Sequence, residues 1–341
     1  MSNTHGDAAG AGAGRAPAPP AETAPLAAAP GESSQSRRAA GTRERRWRLP
    51  KSALFIALVC LTGVTLLLYP SAAAWLAQYN QSRAIDTYNN SLREIGPQQR
   101  DEALEEATAY NADLVAGRAV VGAGSRIPTS DGADSGGWDY ETLLRADNDG
   151  LMARIKIPAI DVDLPIYHGT DDETLLHGVG HLEGTALPVG GDSTHAVLTA
   201  HRGLASATLF TNLDRVNVGD RFVIEVFAEV LTYEVVETQV VEPEDTQTLQ
   251  PQAGRDLVTL VTCTPVGINS HRILVTGERV HPTPPSDLAG AGHPSDLPRF
   301  PWWVAIAGGS LILVGLYVWS AGRVRRTGER DGPDAESAIP A

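Results

Sequence analysis

The sequence predicts a mainly β domain that follows a helical extension and lies between two apolar, membrane-spanning helices. Three observations support this prediction. Short β-branched runs separated by turn residues fill residues 150–281, a pattern typical of a β-sandwich or β-barrel. Apolar residues at helical spacings precede these runs. Uncharged stretches at residues 52–69 and 300–320 are long enough to cross a bilayer.

The two ends of the chain are predicted to be disordered. Residues 1–50 and 321–341 are rich in small and polar residues and carry few bulky apolar side chains, so they cannot bury enough surface to offset the entropy lost on ordering. The net charge of the 341 residues is −14, and the acidic residues are concentrated in the middle of the chain. An acidic middle region argues against nucleic-acid binding, which depends on Lys and Arg.

The charges that flank the apolar segments predict the membrane topology. We assign residues 51–77 and 300–320 to the two transmembrane helices. Arginines precede the first segment and follow the second, and positive flanks remain in the cytoplasm. Both termini are therefore predicted to be cytoplasmic, with residues 78–298 outside. This charge pattern disfavours two buried core helices. The Ala-Ala-Ala sequence at residues 72–74 also fits a signal-peptidase site, and cleavage there would leave only the C-terminal anchor.

Residues 78–149 are predicted to form a helical extension that carries a long loop. Ile85, Tyr88 and Leu92 recur at helical spacing, and Gly96-Pro97 interrupts the pattern, which predicts a helical hairpin ending near residue 119. Residues 120–137 are rich in Gly, Ser, Asp and Pro. A loop of that length is typically either disordered or a functional lid. A short helix is predicted at residues 140–144.

The β domain is assigned to residues 150–281, and a Pro/Gly-rich linker at residues 282–299 joins it to the second apolar segment. Short helices are predicted within loops near residues 173–176 and 209–213. The predicted strands cover residues 151–157, 162–167, 195–199, 222–227, 231–241, 257–262 and 273–280.

Cys263 is the candidate nucleophile. It ends an apolar β-branched run and precedes a loop that contains Pro265 and Gly267. The other cysteine, Cys60, lies in the first apolar segment, so the bilayer should keep the two thiols apart. Because thiols of exported domains are usually paired, a free thiol there favours catalysis. The alternative is a small apolar side chain that fills the core.

A reactive thiol needs a neighbouring base or cation, because a free cysteine thiol has a pKa of about 8.5. Among the nine histidines, His201 is the candidate base, since it stands where the run at residues 195–200 enters a loop. Arg272 lies nine residues beyond Cys263. If the two runs pair as strands, the Arg272 guanidinium lies near the thiol and can stabilise an oxyanion. The alternative for Arg272 is a side chain that extends to solvent.

A metal site is disfavoured by the spacing of the histidines. Only His177 and His181 are four residues apart, and Gly178 and Gly180 between them disfavour the helix that would bring their rings together. His181 is therefore considered as a structural residue.

The residues around Cys263 resemble the sortases, the surface transpeptidases of Gram-positive bacteria. The run Thr259-Leu-Val-Thr-Cys263 resembles the family's Thr-Leu-x-Thr-Cys signature, and His201 and Arg272 stand where that family has its histidine and arginine. The resemblance is closest to class C, the pilus-polymerising sortases. It extends to the motifs at residues 157–160, 164–169, 180–185 and 198–204 and to the C-terminal apolar helix.

The resemblance implies an eight-stranded sortase-type β-barrel and a catalytic set of Cys263, His201 and Arg272. Cys263 would cleave the Thr-Gly bond of a Leu-Pro-x-Thr-Gly-like sorting signal, and a pilin lysine would resolve the thioacyl enzyme, with no metal or organic cofactor. Alternatives are a sortase that attaches surface proteins to a peptidoglycan precursor, a thiol hydrolase, and an inactive scaffolding module.

The sequence departs from the class C pattern in the lid. Class C sortases usually carry an Asp-Pro-aromatic triplet there, whereas residues 121–128 contain none. Trp138-Asp139 is a candidate substitute, although its position differs.

Overall fold

A closed barrel of eight strands forms the centre of the computed structural model. The strands are β1 (Leu151–Ile157), β2 (Val162–His168), β3 (Val179–His181), β4 (Thr194–Thr199), β5 (Arg221–Val226), β6 (Glu229–Val241), β7 (Asp256–Thr264) and β8 (His271–Arg279). Their order around the barrel is β1-β2-β3-β4-β7-β8-β6-β5. The predicted mainly β fold class is confirmed, and of the two architectures that the sequence pattern allowed, the β-barrel is correct and the β-sandwich is not.

The structure describes Trp47 and residues 49–116, 138–146 and 150–323. The lid-like loop at residues 120–137, the C-terminal tail beyond residue 323 and most of the N-terminal tail lie outside the described residues.

The strand β3 was not among the predicted strands. It is only three residues long and contains Gly180, so it lacks the β-branched run that marks the other strands. A Cβ at Gly180 would collide with the carbonyl oxygen of Gly169, so the close approach of these two backbones requires glycine there. β3 pairs in parallel with β2 and antiparallel with β4, and so closes the barrel.

The barrel strands place side chains alternately in the interior and on the outer face. Interior side chains from all parts of the barrel join one large apolar core, to which β7 contributes Val258 and Leu260. A second, small cluster of Val197, Val261 and Leu274 lies on the other face of β4, β7 and β8. The outward residues of these three strands are therefore partly covered as well.

The described residues also form five α-helices: α1 (Lys51–Glu94), α2 (Pro97–Val115), α3 (Asp172–His177), α4 (Pro285–Ala289) and α5 (Trp302–Ala321). Single 3-10 turns occupy Tyr140–Thr142, Pro158–Ile160, Leu213–Arg215 and Gln247–Leu249. The helix predicted at residues 209–213 is thus a 3-10 turn that begins at Leu213.

α1 is one continuous helix of 44 residues. It crosses the predicted boundary between the apolar segment and the helical extension at residues 77 and 78, because no helix-breaking residue occurs there. The helix ends where the sequence predicts a break, at Gly96-Pro97. Pro97 starts α2, where its missing N–H has no consequence, and the Gln99 side chain accepts a hydrogen bond from the Gly96 N–H (3.4 Å).

Two helices among the described residues, α1 and α5, are long and apolar enough to cross a membrane. Only 11% of the most apolar window of α1, and none of that of α5, is buried within the chain. The alternative of two buried core helices is therefore wrong. The Trp75 indole of α1 donates to the Arg299 carbonyl just before α5 (2.8 Å) and meets Trp303 edge to face.

The second half of α1 packs on the barrel. Ile85 and Tyr88 are almost completely buried. The Tyr88 hydroxyl donates to the Met152 carbonyl of β1 (2.9 Å) and accepts from the Phe227 N–H beyond β5 (3.1 Å). The helix and the barrel are thus joined by specific buried contacts.

The predicted linker at residues 282–299 is bound along the barrel surface. Arg154 of β1 is 1% exposed, pairs with Asp163 of β2 (2.6 Å), and donates to the His293 carbonyl (2.7 Å). Lys156 donates to the Gly290 carbonyl (2.9 Å), and the Ser295 hydroxyl donates to Asp163 (2.6 Å). The segment that leads to α5 is therefore fastened by buried charges.

Candidate active site

Cys263 lies near the end of β7 and is paired with Arg272 of β8. The antiparallel register matches Cys263 with Arg272 and Val261 with Leu274. Paired residues project their side chains on the same face, so the thiol and the guanidinium occupy neighbouring outward positions. The expectation that these two runs pair across the intervening loop is confirmed.

His201 follows β4, which lies on the other side of β7. The two strands run in parallel, and Thr199 is matched with Val261. His201 and Cys263 each lie two residues beyond this matched pair. The strands remain connected up to this point, because the Ala200 N–H donates to the Val261 carbonyl (3.2 Å) and the Thr262 hydroxyl donates to the Ala200 carbonyl (2.7 Å). Cys263 therefore has Arg272 of β8 as its neighbour on one side, and on the other side the segment that leads from β4 to His201.

Arg202 connects the loop after His201 to the loop after Cys263. Its guanidinium donates to the Thr264 hydroxyl (2.8 Å) and the Thr211 carbonyl (3.1 Å), and pairs with Asp214 (2.9 Å). Gly203 follows with a φ of +77°, and a Cβ there would collide with Val266. No sequence pattern alone predicts this role for Arg202, although Arg202 directly follows His201.

Burial favours the neutral form of His201, and no carboxylate of the described residues pairs with Arg272. Partial burial lowers the pKa of His201, and the negative charge of Asp172 at the start of α3 acts in the opposite direction. Arg272 donates to the carbonyls of Asn269 (2.9 Å) and His271 (3.1 Å). Within the described part of the chain it has no carboxylate partner, so its charge is available to a bound ligand.

This arrangement suits acyl transfer through a thiol. A nucleophile beside a proton acceptor, with a fixed cation on its other side, can form and stabilise a covalent acyl intermediate. Both cysteines of the chain are free, and Cys263 is partly exposed.

The chain is similar to known proteins in sequence and in structure. A family model described as the sortase domain matches residues 155–280. Sortase D of Bacillus subtilis is 29% identical over 178 residues, which cover 51% of this chain and 84% of that protein. Sortase C1 of Streptococcus agalactiae has a similar structure, with 39% identity, a TM-score of 0.52, and coverage of 58% of this chain and 98% of that one. Sortase C of Streptococcus pneumoniae is 37% identical, with a TM-score of 0.53 and coverage of 60% of this chain and 99% of that one.

The chain belongs to the sortase family. It is a cysteine transpeptidase by family, and its structural neighbours include class C sortases.

An apolar strip extends from Cys263 along the outer face of this sortase. Its surface is formed by the partly exposed Leu182, Val241 and Leu249, which cover the buried cluster of Val197, Val261 and Leu274. Val261 is two residues from Cys263 on the same face. The strip therefore lies on the face of the barrel that carries the thiol.

His181 is a structural residue in this sortase. It is completely buried, and burial lowers its pKa to about 4. Its Nε2 lies 2.9 Å from the Ala186 carbonyl, which can only accept, so Nε2 carries the proton and Nδ1 accepts from the Tyr140 hydroxyl (2.8 Å). Both ring nitrogens are thus engaged with the protein, whereas its sequence partner His177 ends α3.

Trp138, the candidate lid substitute, packs on the helical extension. Its ring meets Tyr110 of α2 edge to face, and its indole N–H donates to Asp113 (3.2 Å). The proposed lid itself lies outside the described residues.

Proposed function

We propose that this sortase polymerises pilins by cleaving the Thr-Gly bond of a Leu-Pro-x-Thr-Gly-like sorting signal and transferring the acyl group to a pilin lysine. The observation that supports the proposal is the antiparallel register that matches Cys263 with Arg272, together with the parallel pairing of β7 with β4, the strand that leads to His201. The name of one structural neighbour supports the choice of substrate, because it associates sortase C of Streptococcus pneumoniae with pilin substrate specificity.

In the proposed reaction, the Cys263 sulfur attacks the threonine carbonyl while His201 accepts the thiol proton. Arg272 stabilises the oxyanion of the tetrahedral intermediate. The C–N bond then breaks, and His201 returns the proton to the leaving glycine amine. An incoming lysine amine attacks the thioester, His201 removes its proton, and the thiol leaves as the isopeptide bond forms. The chemistry requires only these side chains.

The proposal includes a membrane topology in which both termini are cytoplasmic and the barrel is outside. The two cysteines provide a test, because Cys60 lies within the apolar part of α1 whereas Cys263 is partly exposed on the barrel. A membrane-impermeant thiol reagent added to intact cells should label the wild type and the Cys60→Ala variant, but not Cys263→Ala. Labelling of Cys263 only after lysis would contradict the topology.

The transfer reaction is tested in the producing strain by comparing Cys263→Ala with Cys60→Ala as the matched control. We expect covalent, detergent-resistant ladders of pilin in the wild type and in Cys60→Ala, and their loss in Cys263→Ala. Ladders that persist without the Cys263 thiol would overturn the proposal. If the wild type shows no ladders but Cys263→Ala releases single surface proteins from the wall, the enzyme uses a peptidoglycan precursor as its acceptor instead.

A further inference from the structure

A buried chain of polar side chains crosses the outer face of β4, β7 and β8, next to the apolar strip. His195 is 1% exposed and Thr259 is fully buried. His195 Nδ1 lies 3.1 Å from the Gln250 carbonyl oxygen, and His195 Nε2 lies 2.7 Å from the Thr259 hydroxyl. The Thr259 hydroxyl in turn lies 2.8 Å from the Thr276 hydroxyl.

The Gln250 carbonyl determines the direction of every hydrogen bond between these side chains. The Gln250 carbonyl can only accept, so His195 Nδ1 must carry the proton. Burial lowers the pKa of His195, and in the neutral ring Nε2 must then accept. Thr259 therefore donates to His195 and accepts from Thr276. Each group has one possible role, so removal of any hydroxyl leaves a buried partner unsatisfied.

The hydrogen-bonded series of side chains ends at the loop at residues 242–255, which connects β6 to β7. This loop begins directly after Val241, which is paired with Arg272. It returns over the outer face, where Leu249 packs against the cluster of Val197, Val261 and Leu274. Because Gln250 follows Leu249, the bond from His195 fixes the part of the loop that borders the apolar strip.

His195 is too far from the thiol to take part in the chemistry. It precedes His201 by six residues along β4 and its extension, which corresponds to about 20 Å of extended chain. An effect of His195 on the reaction must therefore pass through the loop. The partly exposed side chains of the strip, by contrast, lie on the same face as Cys263, and one of them, Val241, is paired with Arg272.

We propose that His195, supported by Thr259 and Thr276, is a positioning residue that holds the loop at residues 242–255 as a wall of the peptide-binding strip. The inference rests on the proposed function, because it assigns the strip to the sorting signal. The expected consequence is an effect on peptide affinity with little effect on the chemical step.

The test compares three variants of the full-length chain in detergent micelles, with a Leu-Pro-x-Thr-Gly peptide as substrate. Thr259→Val removes the donor to His195 and keeps the side-chain shape, whereas Thr259→Ser retains the hydroxyl. Thr194→Val is the matched control, because Thr194 is also buried and its hydroxyl donates to the Gly191 carbonyl (2.7 Å) instead.

For Thr259→Val we expect KM to rise about three- to tenfold while kcat changes less than about twofold, as the loss of one buried hydrogen bond implies. Hydrogen exchange should become faster within residues 242–255. Thr259→Ser should restore both values, and Thr194→Val should lower the melting temperature without changing KM. If Thr259→Val does not fold, Thr276→Val should show the same effect with a smaller size.

An unchanged KM in a folded Thr259→Val enzyme, or an equal rise in the KM of Thr194→Val, would show that these hydrogen-bonded side chains only stabilise the barrel. A wild-type enzyme that forms no thioacyl adduct on Cys263 would overturn the proposed function together with this inference. Adduct formation with an unchanged KM in the variant would overturn the inference alone.

Discussion

A substitution of Arg272 tests transition-state stabilisation separately from the stability of the barrel. In the proposed reaction its guanidinium faces the oxyanion, and within the described chain no carboxylate competes for it. We expect Arg272→Gln to lower kcat/KM for acyl transfer about 100- to 1000-fold, the usual cost of losing a fixed oxyanion donor. The measurement is steady-state transfer of a sorting-signal peptide to an amine.

Arg221→Gln provides the matched control for Arg272→Gln. Arg221 is an exposed arginine of β5 that pairs with Glu234 of β6 (3.1 Å), and exposed pairs contribute little. Its loss should leave kcat/KM within about twofold of the wild type. A similar result for Arg272→Gln would mean that this guanidinium does not act on the reacting atoms.

Asp172 should control the low-pH limit of activity. Burial lowers the pKa of His201, and the Asp172 carboxylate raises it again in part. His201 must be neutral to accept the thiol proton, so kcat/KM falls as the pH drops through this pKa. Asp172→Asn removes the carboxylate charge and lowers the pKa further. We therefore expect the acid limb of the pH profile to move to lower pH.

Glu173→Gln, at the next position of α3, is the control for Asp172→Asn, and its acid limb should coincide with that of the wild type. An acid limb that moves to higher pH in Asp172→Asn would be inconsistent with His201 as the proton acceptor.

At the level of structural elements, Asn111 connects α2 to the barrel. It is 2% exposed, and its amide donates to the Leu187 carbonyl (3.0 Å) and accepts from the Leu187 N–H (2.7 Å). Asn111→Ala leaves both backbone groups without a partner. We expect a loss of about 2–4 kcal/mol in the free energy of unfolding, seen as a lower melting temperature of the full-length chain.

The exposed Asn90 on α1, which accepts from Arg93 (3.0 Å), is the control for Asn111. Asn90→Ala should leave the melting temperature almost unchanged. Equal effects of the two substitutions would indicate that α2 is not held through Leu187.

Most of the barrel strands could be predicted from the sequence, but β3 and the full length of α1 could not. The strands with β-branched runs were predictable because their side chains show the alternation directly. β3 was not, because it is short and depends on glycine for close backbone contact. The continuity of α1 was also missed, since a change from apolar to polar composition marks a change of environment and not the end of a helix.

The candidate site was predictable only in part, for a topological reason. Cys263 and Arg272 are nine residues apart, and a hairpin brings them together. His201 and Cys263 are 62 apart in sequence number, and the segments that carry them come together because β4 and β7 pair in parallel, as the Thr262–Ala200 bond shows. The hydrogen-bonded chain from His195 to Thr276 likewise depends on three strands and a loop, and no local pattern indicates it.

At the level of the whole molecule, buried neutral histidines make stability depend on pH. The pKa of His181 is lowered to about 4 in the folded state, whereas a histidine in the unfolded chain titrates near 6.5. The unfolded state therefore binds the extra proton first as the pH falls. The neutral His181 ring contributes at most about 3 kcal/mol to the free energy of unfolding. This contribution is complete above about pH 6.5 and is lost as the pH falls towards 4.

We expect the melting temperature of the full-length chain to fall between pH 6.5 and 4, and to fall less steeply in His181→Gln. The lowered pKa of His195 acts in the same direction. His281→Gln, which changes an exposed histidine beyond β8, should retain the wild-type pH dependence. A His181→Gln profile parallel to that of the wild type would contradict this assignment.

The continuous helix α1 and the fastened linker before α5 join the barrel to both apolar segments, and Pro70 lies within the apolar part of α1. A helix of 44 residues is about 66 Å long, which is roughly twice the thickness of the hydrocarbon core. In the proposed topology, the second half of α1 and the linker before α5 therefore set the height of the barrel above the lipid. A membrane-anchored substrate must present its cleavage site at that height, so we expect transfer to depend on the length of its membrane-proximal stalk as well as on its sequence.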